Sequence, residues 1–378
     1  MDFSTTEAQQ DLAALTRRIL SDHVTPESLG PHGSGGFDAP LWTTLAQAGV
    51  LDAALPSSVG GGGFGILEQC SVLIEVGRAV APVPYLPSVM QAASVLTKDP
   101  QLVERWLLPV SRGQAVLAVA LGGAFTASDG KVTGTQTAVP FAAFADAVLV
   151  EAADGVYVVE KDAPGVSISA QQTIDHADAA LVELSDAPGT PLGDVADELR
   201  LRGTLGLCAQ QLGVVERALE LTAAYTRERK QFDKVLGSFQ AVRHRLADAY
   251  IDVEAVRLTL WQAAWLLSEG LPAAAEVATA KYWAAEAGHR VAHTAVHLHG
   301  GVGIDVEHPV HRYFAAAKRL EFTGGGATEQ LLTLGELVVD PPAAHPSADP
   351  SAEHPSAADP SAGHPSEADP SAVVSPSA

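Results

Sequence analysis

YTRERKQFDKVLGSFQ, residues 225–240, separates two long stretches of helical periodicity and reverses the local charge of an acidic chain. The sequence carries 45 acidic side chains against 23 Lys and Arg, a formal net charge of −22, yet Arg227, Arg229 and Lys230 lie almost side by side. Such a cluster invites an anion, because a guanidinium forks onto a pyrophosphate through two parallel hydrogen bonds and an ammonium cannot. Phe232 sets an aromatic face beside the cations, Gln231 an amide, and Leu236, Phe239 and Gln240 close the segment. Taken alone, the same bases also fit a solvated helix end whose charge complements the macrodipole. A second segment bears on the choice. His297-Leu-His-Gly-Gly-Val-Gly303 comes after another long helical pattern, and its glycines permit close backbone approach to a ligand.

Outward from this stretch, helical periodicity covers about 197 to 339. Val242, Leu246, Tyr250, Val253, Leu260, Ala264 and Leu267 form the stripe that a bundle helix needs. Residues 114–195 differ. Val116–Leu121, Ala147–Val150, Val156–Val159, Val166–Ile168 and Ala180–Leu184 are short, rich in β-branched residues and divided by Gly, Asp and Pro, which predicts a small antiparallel β domain. Residues 4–110 read as helices again, with a capping box in Ser4-Thr5-Thr6-Glu7 and apolar faces over Leu41–Leu55, Ile66–Val80 and Leu102–Val110. Gly60-Gly61-Gly62-Gly63 lacks the Gly-Lys-Ser/Thr continuation of a phosphate cradle, so it predicts a flexible loop between helices. From Pro341 the chain repeats Pro-Ser-Ala with His or Asp and has nothing to bury, the composition of a disordered acidic tail. His345, His354 and His364 belong to that repeat and imply no metal site.

Composition sets limits on function. With 47% hydrophobic residues in 378 the chain can bury a large core and more than one domain. Its net charge argues against nucleic acid and anionic membrane surfaces. No run of about 20 uncharged apolar residues is present to span a bilayer, and MDFSTTEAQQDL is not the pattern of a secretory signal. Two cysteines, Cys70 and Cys208, each in an apolar helical context, fit a reducing compartment, so a cytoplasmic protein is expected.

The motif R-x-R-K-x-F-x-K-x-L-x-x-F-Q over residues 227–240, with the later G-G-x-G, closely resembles the C-terminal domain of the acyl-CoA dehydrogenase family. The order of helices, strands and helices resembles that family too, over about 340 residues. The resemblance implies an α+β multidomain fold: an N-terminal helical domain (1–112), a middle β-barrel-like domain (113–196), a C-terminal four-helix bundle (197–340) and the tail (341–378). It also implies FAD shared between two subunits, with one supplying the flavin contacts and a Glu base, the neighbour reaching across to adenosine and pyrophosphate. The neighbour's half is matched here. Arg229 and Phe232 fall on the family's pyrophosphate- and adenine-side residues, Leu236 on an apolar contact, and Gly300-Gly301 on its glycine pair; Gln231 and Gln240 join the set, and His297 stands where most members have Gln.

The flavin half departs from the family. Thr-Glu-Pro-x-x-Gly-Ser-Asp becomes Leu121–Asp129, of which Ser128-Asp129 alone matches, and Trp-Ile-Thr becomes Ala138-Val139-Pro140. The position of the family's Glu, six residues past Lys318, is Gly324, and the alternative position on an earlier helix is Gly203. Glycine takes no proton. Glu321 is the fallback base, with Glu329, Asp305 and His299 behind it; Glu321 and Glu329 are expected to be solvated acids. The resemblance therefore implies a partner subunit of a heteromeric, α2β2 acyl-CoA dehydrogenase of the kind that shortens steroid side chains in actinobacteria. Its thioester would be bound mainly by the catalytic partner, with an electron-transfer flavoprotein as the family's acceptor. Two other readings remain open: a homomeric dehydrogenase with its base relocated to Glu321, and a non-catalytic CoA-thioester binding or scaffold protein.

Overall fold

The computed structural model describes residues 4–25, 28 and 36–339; the repeat tail with its three histidines lies outside the described residues. Helix α1 (Glu7–His23) starts from a capping box, though not the expected one. Thr6 is the N-cap: its hydroxyl accepts from the Gln9 N–H, and Gln9 Oε1 accepts from the Thr6 N–H at 2.8 Å. Glu7 instead occupies the first turn, where its charge favours the helix dipole. Helices α2 (Ala39–Gln47) and α3 (Ile66–Ala79) come next. The glycine run between them is pinned rather than flexible, with Gly62 and Gly63 N–H groups donating to the Asp52 and Leu55 carbonyls at 3.1 and 2.8 Å. A Cβ on Gly61 would lie 2.2 Å from the Leu55 carbonyl oxygen, so the chain folds back there only because side chains are absent. Two π-helical pieces, Leu86–Ala92 and Val103–Leu107, link α4 (Ala93–Leu96), α5 (Pro100–Leu102) and α6 (Leu108–Ser111). Pro87, which has no N–H for an α-helical ladder, falls inside the first.

Six strands form the middle layer: β1 (Leu117–Ser128), β2 (Lys131–Pro140), β3 (Ala147–Ala152), β4 (Gly155–Glu160), β5 (Val166–Gln171) and β6 (Ala179–Gly193). Their order is β2-β1-β3-β4-β6-β5, and β2 also pairs with β6, so five strands close into a ring with β5 on the flank of β6. Closure leaves few free edges. The sheet is not wholly antiparallel as expected: β1 and β3 run parallel from Leu117↔Ala147 to Ala120↔Val150. β6 does the closing, its 15 residues reaching β5 and β2 with one half and β4 with the other.

The rest is helical: α7 (Ala196–Glu228), α8 (Gln240–Ser268), α9 (Ala274–His299), α10 (Pro309–Phe322) and α11 (Ala327–Val339). The first four pack as a bundle, with α11 laid on α9. At 33 residues α7 is about 50 Å long and crosses α3 at very short range. A Cβ on Gly77 would fall 2.0 Å from the Gln210 carbonyl oxygen, and one on Gly213 2.0 Å from that of Ile74. Ion pairs lock the same crossing. Arg78 of α3 reaches Glu216 at 3.0 Å and Glu220 at 2.9 Å on α7; Glu216 also pairs with Arg257 of α8, and Arg17 of α1 reaches the buried Glu75 at 2.6 Å. Removing one member of such a partly buried set strands the other charges, at a cost of about 3–5 kcal/mol where burial is complete.

The buried stripe of α8 is Ala249, Val253, Val256, Leu260 and Ala264. Tyr250, expected in that stripe, is instead 59% exposed, beside Ile251 and Leu258 on a second apolar face directed at solvent. Helix α8 is therefore apolar on more surface than its own chain covers.

Candidate functional site

The sequence pattern from Tyr225 to Gln240 becomes a small protruding hairpin. Helix α7 stops at Glu228, and Arg229 turns to extended backbone, φ −66° and ψ 124°. β7 (Lys230–Gln231) then pairs with β8 (Lys234–Val235) through Lys230↔Val235 and Gln231↔Lys234. The Leu236 N–H donates to the Arg229 carbonyl at 2.8 Å and ties the root. Phe232 and Asp233 form the two-residue tip, both with positive φ, 52° and 60°. That is the backbone of a tight hairpin turn, but Asn-Gly is its usual sequence; a phenylalanine there is strained. The residue is 86% exposed, and its ring meets the edge of Phe239 at 6.5 Å between centroids. Strain with so little packing return is the kind of outlier found where a ligand or partner uses the residue.

The C-terminus of α9 lies at the same end of the bundle. His299, buried at 5% exposure, stacks on Tyr225 of α7 with 4.3 Å between ring centroids and an interplanar angle of 24°. His308 meets the His299 ring edge-on at 5.1 Å. Burial pushes the His299 imidazole below its ordinary pKa; the Ala295 carbonyl, 2.8 Å from Nδ1, opposes this and His308 adds to it. His299 thus acts in the packing that joins the hairpin root to the glycine loop. Gly300 has φ 66° and ψ −143°, which a side chain would not tolerate, whereas a Cβ on Gly301 would meet nothing within 4 Å. Arg229, Gln231, Phe232, Gln240, Gly300 and Gly301 are exposed, His297 lies in the last turn of α9, and Leu236 is half-buried against the end of α7. The structure brings the two segments to one end and leaves most of their polar groups open to solvent.

Both positions considered for a base are glycines, one blocked by a neighbouring side chain and the other held in a left-handed backbone. Gly203 lies inside α7, where a Cβ would sit 2.3 Å from Gln91 Nε2, and that amide is held by the Leu199 carbonyl at 2.9 Å. At Gly324 φ is 74°, and a Cβ would be 3.0 Å from Leu207 Cδ1. Behind it lies Lys281, 1% exposed, whose ammonium donates to the carbonyls of Leu320 and Glu321 at 3.0 and 3.1 Å and caps α10. Burial lowers its pKa. The Glu321 carboxylate is not the solvated acid expected: it is buried, paired with Lys318, and within 3.4 Å of His289 Nδ1. Lys318 reaches it from one helical turn earlier, a spacing that would have suggested the pair. Glu329 is exposed as expected and accepts from the Gly326 N–H at the start of α11. Asp305 is exposed and accepts from the Glu307 N–H at 3.0 Å.

Where the sequence departs from the flavin motif the barrel has few free donors. Ser128 is the last paired residue of β1 and Asp129-Gly130 the β1–β2 turn, and a Cβ on Gly123 would overlap the ring of Phe125. The Ala138 N–H, in the stretch matching Trp-Ile-Thr, already donates to Gln171 Oε1 at 2.7 Å, and Pro140 has no N–H to offer. The donors and the flat aromatic surface a flavin ring needs are missing or taken, whereas the exposed cations, amides and aromatic ring of the hairpin end fit the adenosine pyrophosphate part of FAD. Among the described residues no group of three or more His, Cys, Asp or Glu is arranged to hold a metal, and no helix is long and apolar enough to cross a membrane.

A helical layer, a closed strand layer and a helical bundle, with exposed cations and an aromatic ring at the bundle's end, form the architecture of a flavoprotein dehydrogenase. Residues 6–114 match the model of the acyl-CoA dehydrogenase N-terminal domain and residues 198–338 that of the C-terminal domain. The chain belongs to the acyl-CoA dehydrogenase family. It is 46% identical to the acyl-CoA dehydrogenase FadE27 of Mycobacterium tuberculosis, over 91% of this chain and 100% of that protein. Among solved structures it is similar to a chain of the ChsE4–ChsE5 complex from Mycobacterium tuberculosis, with a TM-score of 0.86 and 46% identity over 91% of this chain and 100% of that one. It is also similar to a chain of a Tcur3481–Tcur3483 steroid ACAD variant, with a TM-score of 0.83 and 37% identity over 88% and 98%.

Proposed function

We propose that this chain is the base-lacking subunit of a heteromeric, FAD-dependent acyl-CoA dehydrogenase, and that it lends the hairpin end of its bundle to a flavin seated mainly in a catalytic partner. One observation carries the reading: the residues matched to the phosphate grip are exposed and presented outward, while both base positions are glycines, Gly203 overlapped by Gln91 and Gly324 held at a φ of 74° that a Glu would strain. Arg229 would fork onto the pyrophosphate, Phe232 would stack on the adenine, and Gln231, Gln240, Leu236, His297 and the Gly300-Gly301 backbone would complete the grip. Bound FAD supplies the acceptor for the β-hydride; the α-proton would go to a carboxylate of the partner. Gly301, unconstrained within its own chain, leaves room for the neighbour's cofactor.

The names of the similar complexes, ChsE4–ChsE5 and the steroid ACAD, support an assembly of two different chains and a steroid-derived thioester as substrate class. The exposed apolar face of α8 supplies surface for such a contact. An electron-transfer flavoprotein would re-oxidise the flavin, and two buried free cysteines suit the cytoplasm. The alternative of Glu321 as a relocated base is disfavoured by its pairing with Lys318 and His289. Two purifications test the proposal. Alone, the chain should carry no stoichiometric flavin and oxidise no acyl-CoA; expressed with a base-bearing acyl-CoA dehydrogenase subunit from the same organism that co-purifies with it, the complex should be yellow and active, and Arg229→Ala should strip its flavin. A yellow, active homo-oligomer of this chain would overturn the reading.

A further inference from the structure

Six bases crowd the arm that joins α7 to α8: Arg227, Arg229, Lys230, Lys234, Arg243 and Arg245. All six are exposed, and among the described residues none is ion-paired or hydrogen-bonded through its side chain. Elsewhere the bases of this acidic chain find carboxylates readily: Arg78, Arg200, Arg257 and Arg290 each reach at least two. Glu228 and Asp233 are the only acids between 227 and 245, so the arm stays cationic in a chain of net charge −22. It is also ordered without a core of its own. From Arg227 to Asp248 no residue is buried, although the segment holds a hairpin and the opening turns of α8.

Two of the bases are badly placed for their own helix. The first turn of α8 has no acidic residue and no side-chain cap, and Arg243 puts a positive charge there, against the helix dipole. Such a charge costs about 0.3–1 kcal/mol unless an anion answers it. Arg245 follows in the next turn. The FAD pyrophosphate, with about two negative charges, accounts for Arg229 and at most one more base. Arg243 and Arg245 therefore remain unanswered, roughly 5 and 8 Å along α8 from Gln240, which belongs to the proposed FAD grip.

We propose that Arg243 and Arg245, with Lys234 of the hairpin, dock against an acidic rim on the catalytic subunit, around the crevice that receives the adenosine end of FAD. This rests on the subunit reading above and adds the charge of the surface that the partner presents. A second copy of this chain suits the arm less well, because the segment that carries the FAD grip must face the subunit that seats the flavin. Charges at the rim of an interface act chiefly on the rate of encounter and on its dependence on salt. For a chain so acidic overall, one cationic arm also orients the approach.

The test measures association of the full-length chain with the base-bearing subunit that co-purifies with it, by biolayer interferometry in saturating FAD, and flavin content of the assembled complex separately. The association rate constant should fall at least about tenfold between about 20 mM and about 500 mM NaCl, as the screening length shrinks from roughly 20 to roughly 4 Å. The double variant Arg243→Glu/Arg245→Glu should associate at least about tenfold more slowly at the lower salt and lose most of the salt dependence, while the complex it forms keeps its full flavin. If that variant does not fold, Arg243→Gln/Arg245→Gln should slow association about threefold. Association indifferent to salt, variants as fast as the unaltered chain, or variants that lose flavin at an unchanged rate of association would overturn the proposal and leave the subunit reading standing. A change in self-association of this chain without the partner would overturn it too, assigning the bases to a second copy. No complex at any salt would instead remove the subunit reading, and this proposal with it.

Discussion

Phe232→Asn separates what the hairpin tip does for the fold from what it does for a ligand. At 86% exposure the ring buries about a seventh of its surface, roughly 30 Å² and about 0.7 kcal/mol of apolar burial. The edge contact to Phe239, at 6.5 Å, adds about 0.5 kcal/mol. Against these stands the left-handed backbone, φ 52°, which costs a bulky residue about 1–2 kcal/mol and asparagine less. The opposing contributions nearly cancel, so unfolding free energy should move by less than about 1 kcal/mol in either direction. Flavin retention should respond very differently. Loss of a base–aromatic stack is worth about 1–3 kcal/mol, or roughly 5- to 150-fold in Kd for FAD. The assays are urea unfolding of the variant chain and FAD titration of the deflavinated two-subunit complex. A variant destabilised by more than about 2 kcal/mol would make Phe232 a structural residue, and unchanged FAD affinity would refute the assignment of the ring to the adenine.

Gly324→Glu should not create a dehydrogenase from the isolated chain. It should cost about 1–3 kcal/mol in denaturant unfolding, because φ is 74° and the new Cβ meets Leu207 at 3.0 Å; acyl-CoA turnover by the lone variant would contradict this. Lys281→Met keeps the volume but leaves the carbonyls of Leu320 and Glu321 without their donor, so thermal unfolding should report a loss of about 1–3 kcal/mol. His299 gives a pH signature. Its folded pKa is lowered, so the unfolded chain binds the proton more readily; its share of stability is full above the unfolded pKa of about 6.5 and is lost as pH falls from there toward the folded value. His299→Gln should flatten that part of the curve in denaturant titrations between pH 7 and 5, and an unchanged slope would count against the assignment.

The order of helices, strands and helices is legible because long amphipathic helices and short β-branched strands differ in period. So is the cationic stretch after α7, since three bases in a chain of net charge −22 stand out without any coordinates. The features that sequence does not reveal are set by tertiary context. Lys131–Pro140, with Gly134, Thr135 and Gln136 in its middle, is not among the apolar β-branched runs the sequence offers, and becomes a strand because β1 and β6 supply its partners on either side. The 230–235 hairpin has no Asn-Gly signal; Phe-Asp at its tip is a sequence that the turn tolerates rather than one that announces it. Tyr250 matches the helical stripe by spacing, yet its face is left outside the core by the way α8 packs on α9. Glu321 reads as a surface acid because, beyond the i,i+3 spacing to Lys318, nothing in the sequence shows that His289 converges on it and that the site is buried. At the candidate site, residue types and spacing mark Arg229, Phe232 and the glycine pair, but the strain at Phe232 and the stack of His299 on Tyr225 are facts of backbone and packing alone.

The hairpin's position at the tip of a 33-residue helix makes its aim a matter of phase. Each residue of α7 rotates the hairpin beyond it by about 100° and advances it by about 1.5 Å, so a single inserted alanine near Tyr225 would swing the tip well away from any neighbour while leaving its own bonds intact. Within this lineage, insertions and deletions should therefore collect in the barrel's turns, and the length of α7 between the Gly77–Gly213 crossing and Arg229 should stay constant even where the residues along it change.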